Sequence, residues 1–137
     1  GATATVSARG VDAAVEAVRA LTKQNGVDVA IEAVGVPEAF EVCQGIVAAG
    51  GHVANVGVHG KPVALHLERL WAHNVTITTR LVDTATTPML LKLLLSGRLE
   101  AKKLVTHRFA MAEIMKAYDT FADAGSSKAL KVAIASR

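Results

Sequence analysis

The length, composition and charge of this sequence exclude several classes of protein. Its 137 residues are 51% hydrophobic and 20% charged, with a formal net charge of +3, which is typical of a globular domain and unlike a disordered or fibrous chain. The basic residues are scattered along the chain without interleaved aromatic residues, so we expect no nucleic-acid partner. The only cysteine, Cys43, forms no disulfide framework and is expected in the core of a protein from a reducing compartment, the cytoplasm.

Two segments bear on targeting. The longest apolar stretch, PMLLKLLLSG (88–97), is too short to span a bilayer and contains Lys92, so no membrane association is predicted. No secretory leader precedes the first strand candidate, which favours the cytoplasm. The chain opens on Gly1-Ala2-Thr3 without Met, as a domain taken from a longer protein would.

Residues 1–82 alternate between strand and helix patterns. The segment TATV (3–6) is a short strand candidate, and a helix capped by Asp12 and ended by Asn25-Gly26 follows it. A second helix begins at Pro37 and ends at Gly50-Gly51. Three further segments predict strands, and a shorter element, PVALHLERLW (62–71), separates the last two. These strands are VDVAIEAVG (27–35), HVANVGV (52–58) and NVTITTRLV (74–82).

The pattern changes after residue 82. A polar loop, DTATTP (83–88), precedes a leucine-rich helix that starts at Pro88, with Thr86 or Thr87 as its cap, and ends at Ser96-Gly97. The remaining predicted elements are a strand, a helix that ends at Gly125, and a last strand. Their segments are VTHRF (105–109), MAEIMKAYDTFADA (111–124) and ALKVAIA (129–135).

Alternating strands and helices with apolar, non-alternating strands predict an α/β fold. Such strands form a parallel sheet with flanking helices on both of its faces. Ligands of open α/β sheets bind at the carboxyl ends of the strands, and two of the predicted strands end in glycine, at Gly35 and Gly57. Each glycine either admits a flat ligand close to the backbone or only makes the strand-to-helix turn. Two such ends in adjacent crossovers favour a shared ligand crevice.

Neither the glycine motifs nor the titratable residues form a complete catalytic or nucleotide site. No G-x-G-x-x-G or phosphate-binding loop is present, so the pyrophosphate half of a dinucleotide site is not in this sequence. For Glu32, beside a strand end, a surface or loop-bonding role is expected rather than contact with a ligand. Four histidines recur every seven residues, at His52, His59, His66 and His73. The glycines and the proline between them exclude a single helix that would carry all four on one face. We therefore predict no metal-binding residue, and no catalytic residue, in this chain.

Five segments together resemble the carboxyl-terminal part of the zinc-dependent, medium-chain alcohol dehydrogenases. The combination of LVTHRF, a helix with A-Y-D-x-F and a closing L-K-V strand is specific to that superfamily, and the resemblance covers nearly the whole chain. The segments are VDVAIEAVGVPEAFE (27–41), GGHVANVGVHGKPV (50–63), NVTITT (74–79), KKLVTHRF (102–109) and EIMKAYDTF…ALKVAI (113–134).

The resemblance implies a partial Rossmann-type sheet followed by a carboxyl-terminal α/β segment. Residues 1–82 would be the second half of an NAD(P)-binding domain, and residues 83–137 would return to the catalytic domain. The cofactor would be NAD or NADP. On its adenosine side the implied residues are Val34 and Gly35, and at its phosphates Lys131. On its nicotinamide side they are Val56, Gly57, Val58, Thr79, Arg80 and Leu81. Arg80 departs from the small or apolar residue often found at its position.

The same resemblance implies a whole enzyme that transfers hydride between an alcohol and nicotinamide, with an aldehyde or ketone as the product. The zinc ligands, the proton relay and the ribose-binding acid of the family precede the part represented here, so this chain alone is predicted to be inactive. A non-catalytic module that senses a nucleotide or mediates association is the alternative. Family members pair edge strands near PVALHL and NVTITT, and open edges with an uncovered sheet face favour a homo-oligomer.

Overall fold

Parallel strands and the helices that connect them organise the chain, as the alternating pattern predicts. The computed structural model describes residues 2–7, 9–81 and 84–136. Residues 1–82 and residues 83–137 form two separate units. The predicted boundary at Val82 and Asp83, with the end of the third predicted strand and the start of the polar loop, lies outside the described residues.

The first unit contains a parallel sheet with strand order β1-β2-β3. Residue pairs such as Ile31 with Ala54, and Ala54 with Thr78, define its register. Parallel neighbours need crossover connections, and the helices between the strands belong to them. In chain order the elements are α1 (Val11–Leu21), β1 (Val27–Glu32), α2 (Pro37–Ile46), β2 (Val47–Asn55), α3 (Leu67–Leu70) and β3 (Thr76–Thr79). The predicted α/β class with a parallel sheet is confirmed.

The predictions for the first 26 residues are partly wrong. Residues 3–6 form no strand but an exposed segment, and a strand needs a neighbour for its backbone hydrogen bonds. Helix α1 follows Gly10, and Asp12 lies in its first turn rather than at its cap. The helix ends at Leu21, before Asn25-Gly26, and Thr22 is its C-cap. The Thr22 hydroxyl donates to the Val18 carbonyl and accepts the Gly26 N–H.

The glycine pair predicted to end α2 instead lies inside β2. Helix α2 ends at Ile46 and the chain enters β2 at once. Between the pairs Val27–Val47 and Val29–His52, β1 advances by two residues and β2 by five, so β2 carries a bulge. Gly50, with φ of 74°, supplies a left-handed residue within that bulge.

The core of the first unit lies on one face of the sheet, beneath α2. Val53 on the central strand is fully buried, and Cys43 is buried as predicted. The cluster consists of Ala30, Phe40, Cys43, Val47, Val53 and Leu70. On the other face, Val29 and Ile31 are 55% and 65% exposed. The expected cover on both faces is therefore wrong for the described residues, whereas the expected uncovered face is present.

Gln44 fixes the segment that leads into α3. Its buried side chain donates to the Ala64 carbonyl at 3.0 Å and accepts the His66 N–H at 2.8 Å. The His66 ring lies between the carboxylates of Glu41 and Glu68, at 2.7 and 2.9 Å, and these hydrogen bonds raise the pKa of His66. The element predicted over 62–71 is thus an anchored loop with one short helix.

The second unit contains a two-stranded parallel sheet and three helices among its described residues. The elements are α4 (Thr87–Leu95), β4 (Val105–Ala110), α5 (Ile114–Ala122), α6 (Ala124–Ser127) and β5 (Lys131–Ala135). The single helix predicted over 111–124 is wrong, because a 3-10 turn at Met111–Glu113 precedes α5, and Gly125 lies within the separate α6. Within the described ranges, no helix combines the length and apolarity that crossing a bilayer requires.

Because Val53 is fully buried on the central strand, Val53→Ala should lower the free energy of unfolding of the first unit by about 2 kcal/mol. Val29→Ala on β1 is the matched control, since the Val29 side chain is 55% exposed and should change stability much less. Urea denaturation followed by circular dichroism measures both variants. Equal losses of stability would contradict the position assigned to the core.

Candidate cofactor-binding site at the strand ends

Eight of the nine predicted cofactor residues lie at one edge of the first sheet. The carboxyl ends of β1, β2 and β3 meet there because the strands are parallel. Val34 and Gly35 follow β1; Val56, Gly57 and Val58 follow β2; Thr79 ends β3, and Arg80 and Leu81 follow it. Their grouping is a property of the fold, and their contact with a cofactor stays a prediction.

Lys131, the ninth residue, belongs to the second unit. It is the first residue of β5 and is exposed. Together with Tyr118 and Phe121 it lines a groove of about 330 Å³. The role of Lys131 at the cofactor phosphates therefore stays a prediction from the family resemblance.

Glu32, the last residue of β1, is the centre of this edge. Its carbonyl oxygen accepts the N–H groups of Val56 at 2.8 Å and Gly57 at 3.1 Å. Its carboxylate Oε1 accepts the N–H groups of Val34 at 2.8 Å and Gly35 at 2.7 Å. Of the two roles expected for Glu32, at the surface or in bonding its loop, the structure shows the second. Its link to the second strand end was missed.

Gly35 and Gly57 are needed because two segments of backbone approach each other. A Cβ atom on Gly57 would overlap the Glu32 carboxylate and the Gly35 backbone nitrogen, and one on Gly35 would overlap the Val58 carbonyl. Gly35 also has a φ of 87°, which side chains other than glycine rarely adopt. The protein itself, rather than only a ligand or a turn, requires glycine at both positions.

Asn55 and His59 complete a polar network that connects the three strand ends. The Asn55 side-chain Nδ2 donates to the Gly57 carbonyl at 3.1 Å, and its main-chain carbonyl accepts the Arg80 N–H at 3.2 Å. This orientation leaves Asn55 Oδ1 as the acceptor for His59 Nε2, 2.8 Å away. His59 Nε2 therefore carries a hydrogen, and it lies 3.2 Å from Glu32 Oε2.

The network was not predicted, although one signal of it was visible in the sequence. The four evenly spaced histidines do lie on different elements, as the intervening glycines predict: His52 on β2, His59 in a loop, His66 before α3 and His73 in a 3-10 turn. The spacing is therefore irrelevant to His59. A polar residue at the buried end of a strand, such as Glu32 or Asn55, was the signal that could have found the network, since buried polar groups need partners.

The environment of Glu32 keeps its carboxyl group ionised. Burial raises the pKa of Glu32, but the backbone hydrogen bonds from Gly35 and Val34 and the nearby His59 ring together bring it below the ordinary value of 4.5. The rings of Phe40 and His59 form a T-shaped pair, with ring centres 6.1 Å apart. Burial, followed by the charge of Glu32, raises the pKa of the neighbouring Cys43 thiol, so Cys43 stays a neutral core residue.

The strand-end edge fits the ring portions of a dinucleotide rather than its pyrophosphate. Val34, Val58 and Leu81 are 70%, 79% and 80% exposed, and they offer an apolar surface to flat rings. The N–H groups of Val34, Gly35, Val56 and Gly57 are already donated to Glu32, so they form no phosphate cradle. The fit agrees with the sequence pattern, which lacks the glycine-rich phosphate-binding motif.

The described residues do not fit a zinc site. Zinc in proteins takes ligands from Cys, His, Asp and Glu. Across residues 2–7, 9–81 and 84–136, no group of three or more such side chains is arranged to hold a metal ion.

Gly57→Ala should lower the free energy of unfolding by more than about 2 kcal/mol, because the new methyl group would displace Glu32 or the Gly35 backbone. Gly60→Ala is the matched control in the same loop, since a Cβ there meets no atom within 4 Å. Thermal denaturation of the two variants measures the difference. A Gly57→Ala protein as stable as Gly60→Ala would show that the two strand ends are not tightly packed.

Comparison with known proteins places this sheet in a family. The family profile described as Zinc-binding dehydrogenase matches residues 1–96. A curated alcohol dehydrogenase of Cupriavidus necator is 31% identical over 127 residues, covering 88% of this chain and 34% of that protein. The chain thus spans about a third of the length of that relative.

Solved structures of two alcohol dehydrogenases share this fold and are at least 31% identical in sequence to the chain. The apo form of zinc-dependent alcohol dehydrogenase 2 from Streptococcus pneumonia is 50% identical, with a TM-score of 0.80 over 88% of this chain and 35% of that one. An alcohol dehydrogenase from Thermus sp. ATN1 is 31% identical, with a TM-score of 0.75 over 86% and 34%. The resemblance to the carboxyl-terminal part of the zinc-dependent alcohol dehydrogenases is confirmed, and the chain belongs to the zinc-binding dehydrogenase family.

Proposed function

We propose that this chain forms the cofactor-lining, carboxyl-terminal part of an NAD(P)-dependent alcohol dehydrogenase. The observation that carries the proposal is the overlap of two facts. The zinc-binding dehydrogenase profile covers residues 1–96, and the same stretch holds the three strand ends where eight predicted cofactor residues meet. Relatives with the alcohol dehydrogenase name support a small alcohol and its aldehyde or ketone as the substrate pair.

The strand ends would hold the two ring systems of the cofactor. Val34 and Gly35 would line the adenosine side, and the residues after β2 and β3 would face the nicotinamide. The bound cofactor would take up or return the hydride that interconverts alcohol and carbonyl compound. Lys131 would approach the phosphates. The acid that reads the ribose lies outside this sequence, so the proposal covers both NAD and NADP.

Zinc and the catalytic groups would come from the part of the dehydrogenase outside this sequence. The described residues offer no group able to hold the metal. This assigns no catalytic residue to the chain, and residues 83–137 would return to the catalytic domain. The proposed location is the cytoplasm, in keeping with the free, buried Cys43.

A second candidate function is an association module without catalysis. The exposed Val29 and Ile31 on one sheet face favour it, as does the position of β3 at the sheet edge. A homo-oligomer that pairs β3 edges is part of both candidates. The upstream coding sequence separates them, since a G-x-G-x-x-G motif and a Cys/His zinc set belong only to the enzyme.

Binding to the isolated 137-residue chain should be weak and local. NAD and NADP, titrated separately into the ¹⁵N-labelled chain, should shift the amide signals of the strand-end residues, with a dissociation constant of about 1 mM or weaker, equivalent to roughly 4 kcal/mol at most. With zinc and short alcohols the chain should form no reduced cofactor. Micromolar binding, turnover, or shifts confined to other surfaces would contradict the proposal.

In the dehydrogenase that contains this chain, Lys131→Ala should weaken cofactor binding about tenfold, because a charge-assisted contact to the phosphates would be lost. Lys116→Ala is the control, since Lys116 is an exposed lysine of the same unit that pairs with Glu113 at 3.3 Å. Calorimetric titration with NAD and NADP measures both variants. An unchanged affinity in Lys131→Ala would remove Lys131 from the cofactor site.

A further inference from the structure

We propose that Glu32 is the positioning residue of the cofactor-facing edge, because its carboxylate and carbonyl together hold the ends of β1 and β2 at a fixed spacing. That the edge faces a cofactor rests on the proposed function, whereas the positioning of the strand ends rests on the geometry alone. Glu32 is not itself one of the predicted cofactor residues. It acts through the backbone of Val34, Gly35, Val56 and Gly57.

The four backbone hydrogen bonds divide between the main chain and the side chain of Glu32. The main-chain carbonyl takes the N–H groups of the β2 end, and any residue at position 32 would keep these bonds. Carboxylate Oε1 takes the N–H groups of Val34 and Gly35, and only a side chain with an acceptor of this length supplies them. The β1 end therefore depends on the carboxylate.

The second carboxylate oxygen faces the β2 loop. Oε2 is buried, forms no full hydrogen bond, and lies 3.2 Å from His59 Nε2. The hydrogen-bond directions around Asn55 are fixed: its Nδ2 donates to the Gly57 carbonyl, and its Oδ1 accepts from His59 Nε2. His59 Nε2 is therefore a donor. An NH₂ group in place of Oε2 would place two hydrogen-bond donors face to face at His59. An NH₂ group in place of Oε1 would do the same at the Val34 and Gly35 N–H groups.

Burial makes this arrangement sensitive to the charge of Glu32. The side chain is fully buried, and the titratable groups that face it are His59 from the β2 loop and Cys43 from α2. The lowered pKa of Glu32 means that its carboxylate stabilises the folded state fully above the ordinary value of 4.5. That stabilisation is lost as the pH falls through the lowered pKa, when protonation adds an O–H donor among N–H donors.

The test compares Glu32→Gln with Glu38→Gln in the ¹⁵N-labelled 137-residue chain. Glu38 is exposed in the first turn of α2, so its variant makes the same change of charge without touching the network. In Glu32→Gln we expect the Val34 and Gly35 amide protons to exchange about tenfold faster, because a neutral amide oxygen, even where it still faces these N–H groups, accepts weaker hydrogen bonds than a carboxylate. The Val53 amide should stay protected, and the strand-end shifts caused by 10 mM NAD, about ten times the expected dissociation constant, should be lost. Glu38→Gln should behave as the unchanged chain.

A pH titration of the unchanged chain provides a second measurement that does not depend on how the variant folds. The Val34 and Gly35 amide signals should move together, with one midpoint below the ordinary pKa of a glutamate. Amides that do not respond, or that respond at or above that value, would overturn the proposal. Protection of both amides in a folded Glu32→Gln chain, or an undiminished response to NAD, would also overturn it.

The same data separate this inference from the proposed function. If NAD and NADP shift no strand-end amide of the unchanged chain, the cofactor assignment fails. The positioning of the two strand ends is then judged by amide exchange and by the pH titration alone. If both cofactors shift these amides equally in the unchanged chain and in Glu32→Gln, the proposed function stands and the role of Glu32 is refuted.

Discussion

The strand-end edge depends on one buried carboxylate that accepts backbone N–H groups from its own loop. Glu32 would be costly to bury as an ion, and the N–H groups of Val34 and Gly35, 2.8 and 2.7 Å away, compensate that cost. The same bonds leave no room for a side chain at Gly57, whose added Cβ would overlap the carboxylate. The buried charge of Glu32, the need for glycine at position 57 and the spacing of the strand ends are therefore coupled, since a change in one would disturb the other two.

Under the proposed function, this constraint would also decide which part of a dinucleotide the strand-end edge receives. Phosphates bind where backbone N–H groups are free, and here four of them are donated to Glu32. Exposed aliphatic side chains such as Val34 and Leu81 remain, and they suit the faces of flat rings. Under the proposed function, a chain that covers about a third of the length of an alcohol dehydrogenase relative would supply ring-facing surface at this edge and, apart from Lys131, would leave the phosphates to the rest of the protein.

Regular elements followed from the sequence, whereas the network at their ends did not. Pro37 and the run VDVAIE marked α2 and β1 correctly, because local backbone preferences and apolar patterning act within a few residues. The bulge around Gly50 and the contact between Gly35 and Gly57 depend on a neighbouring strand. Pairing of Asn55 with His59 depends on a loop conformation that no local pattern encodes.

Polar bonding carries unusual weight in the first unit because its apolar core is small. Six side chains form the buried cluster, and on the opposite face Val29 and Ile31 remain more than half exposed. Apolar burial on one face alone holds the strands together but does not fix the loops beyond their ends. Hydrogen bonds accepted by Glu32 and donated by Asn55 and Gln44 do that, since each has a direction and a length. The geometry of the edge thus follows from the polar residues, and the existence of the sheet from the apolar ones.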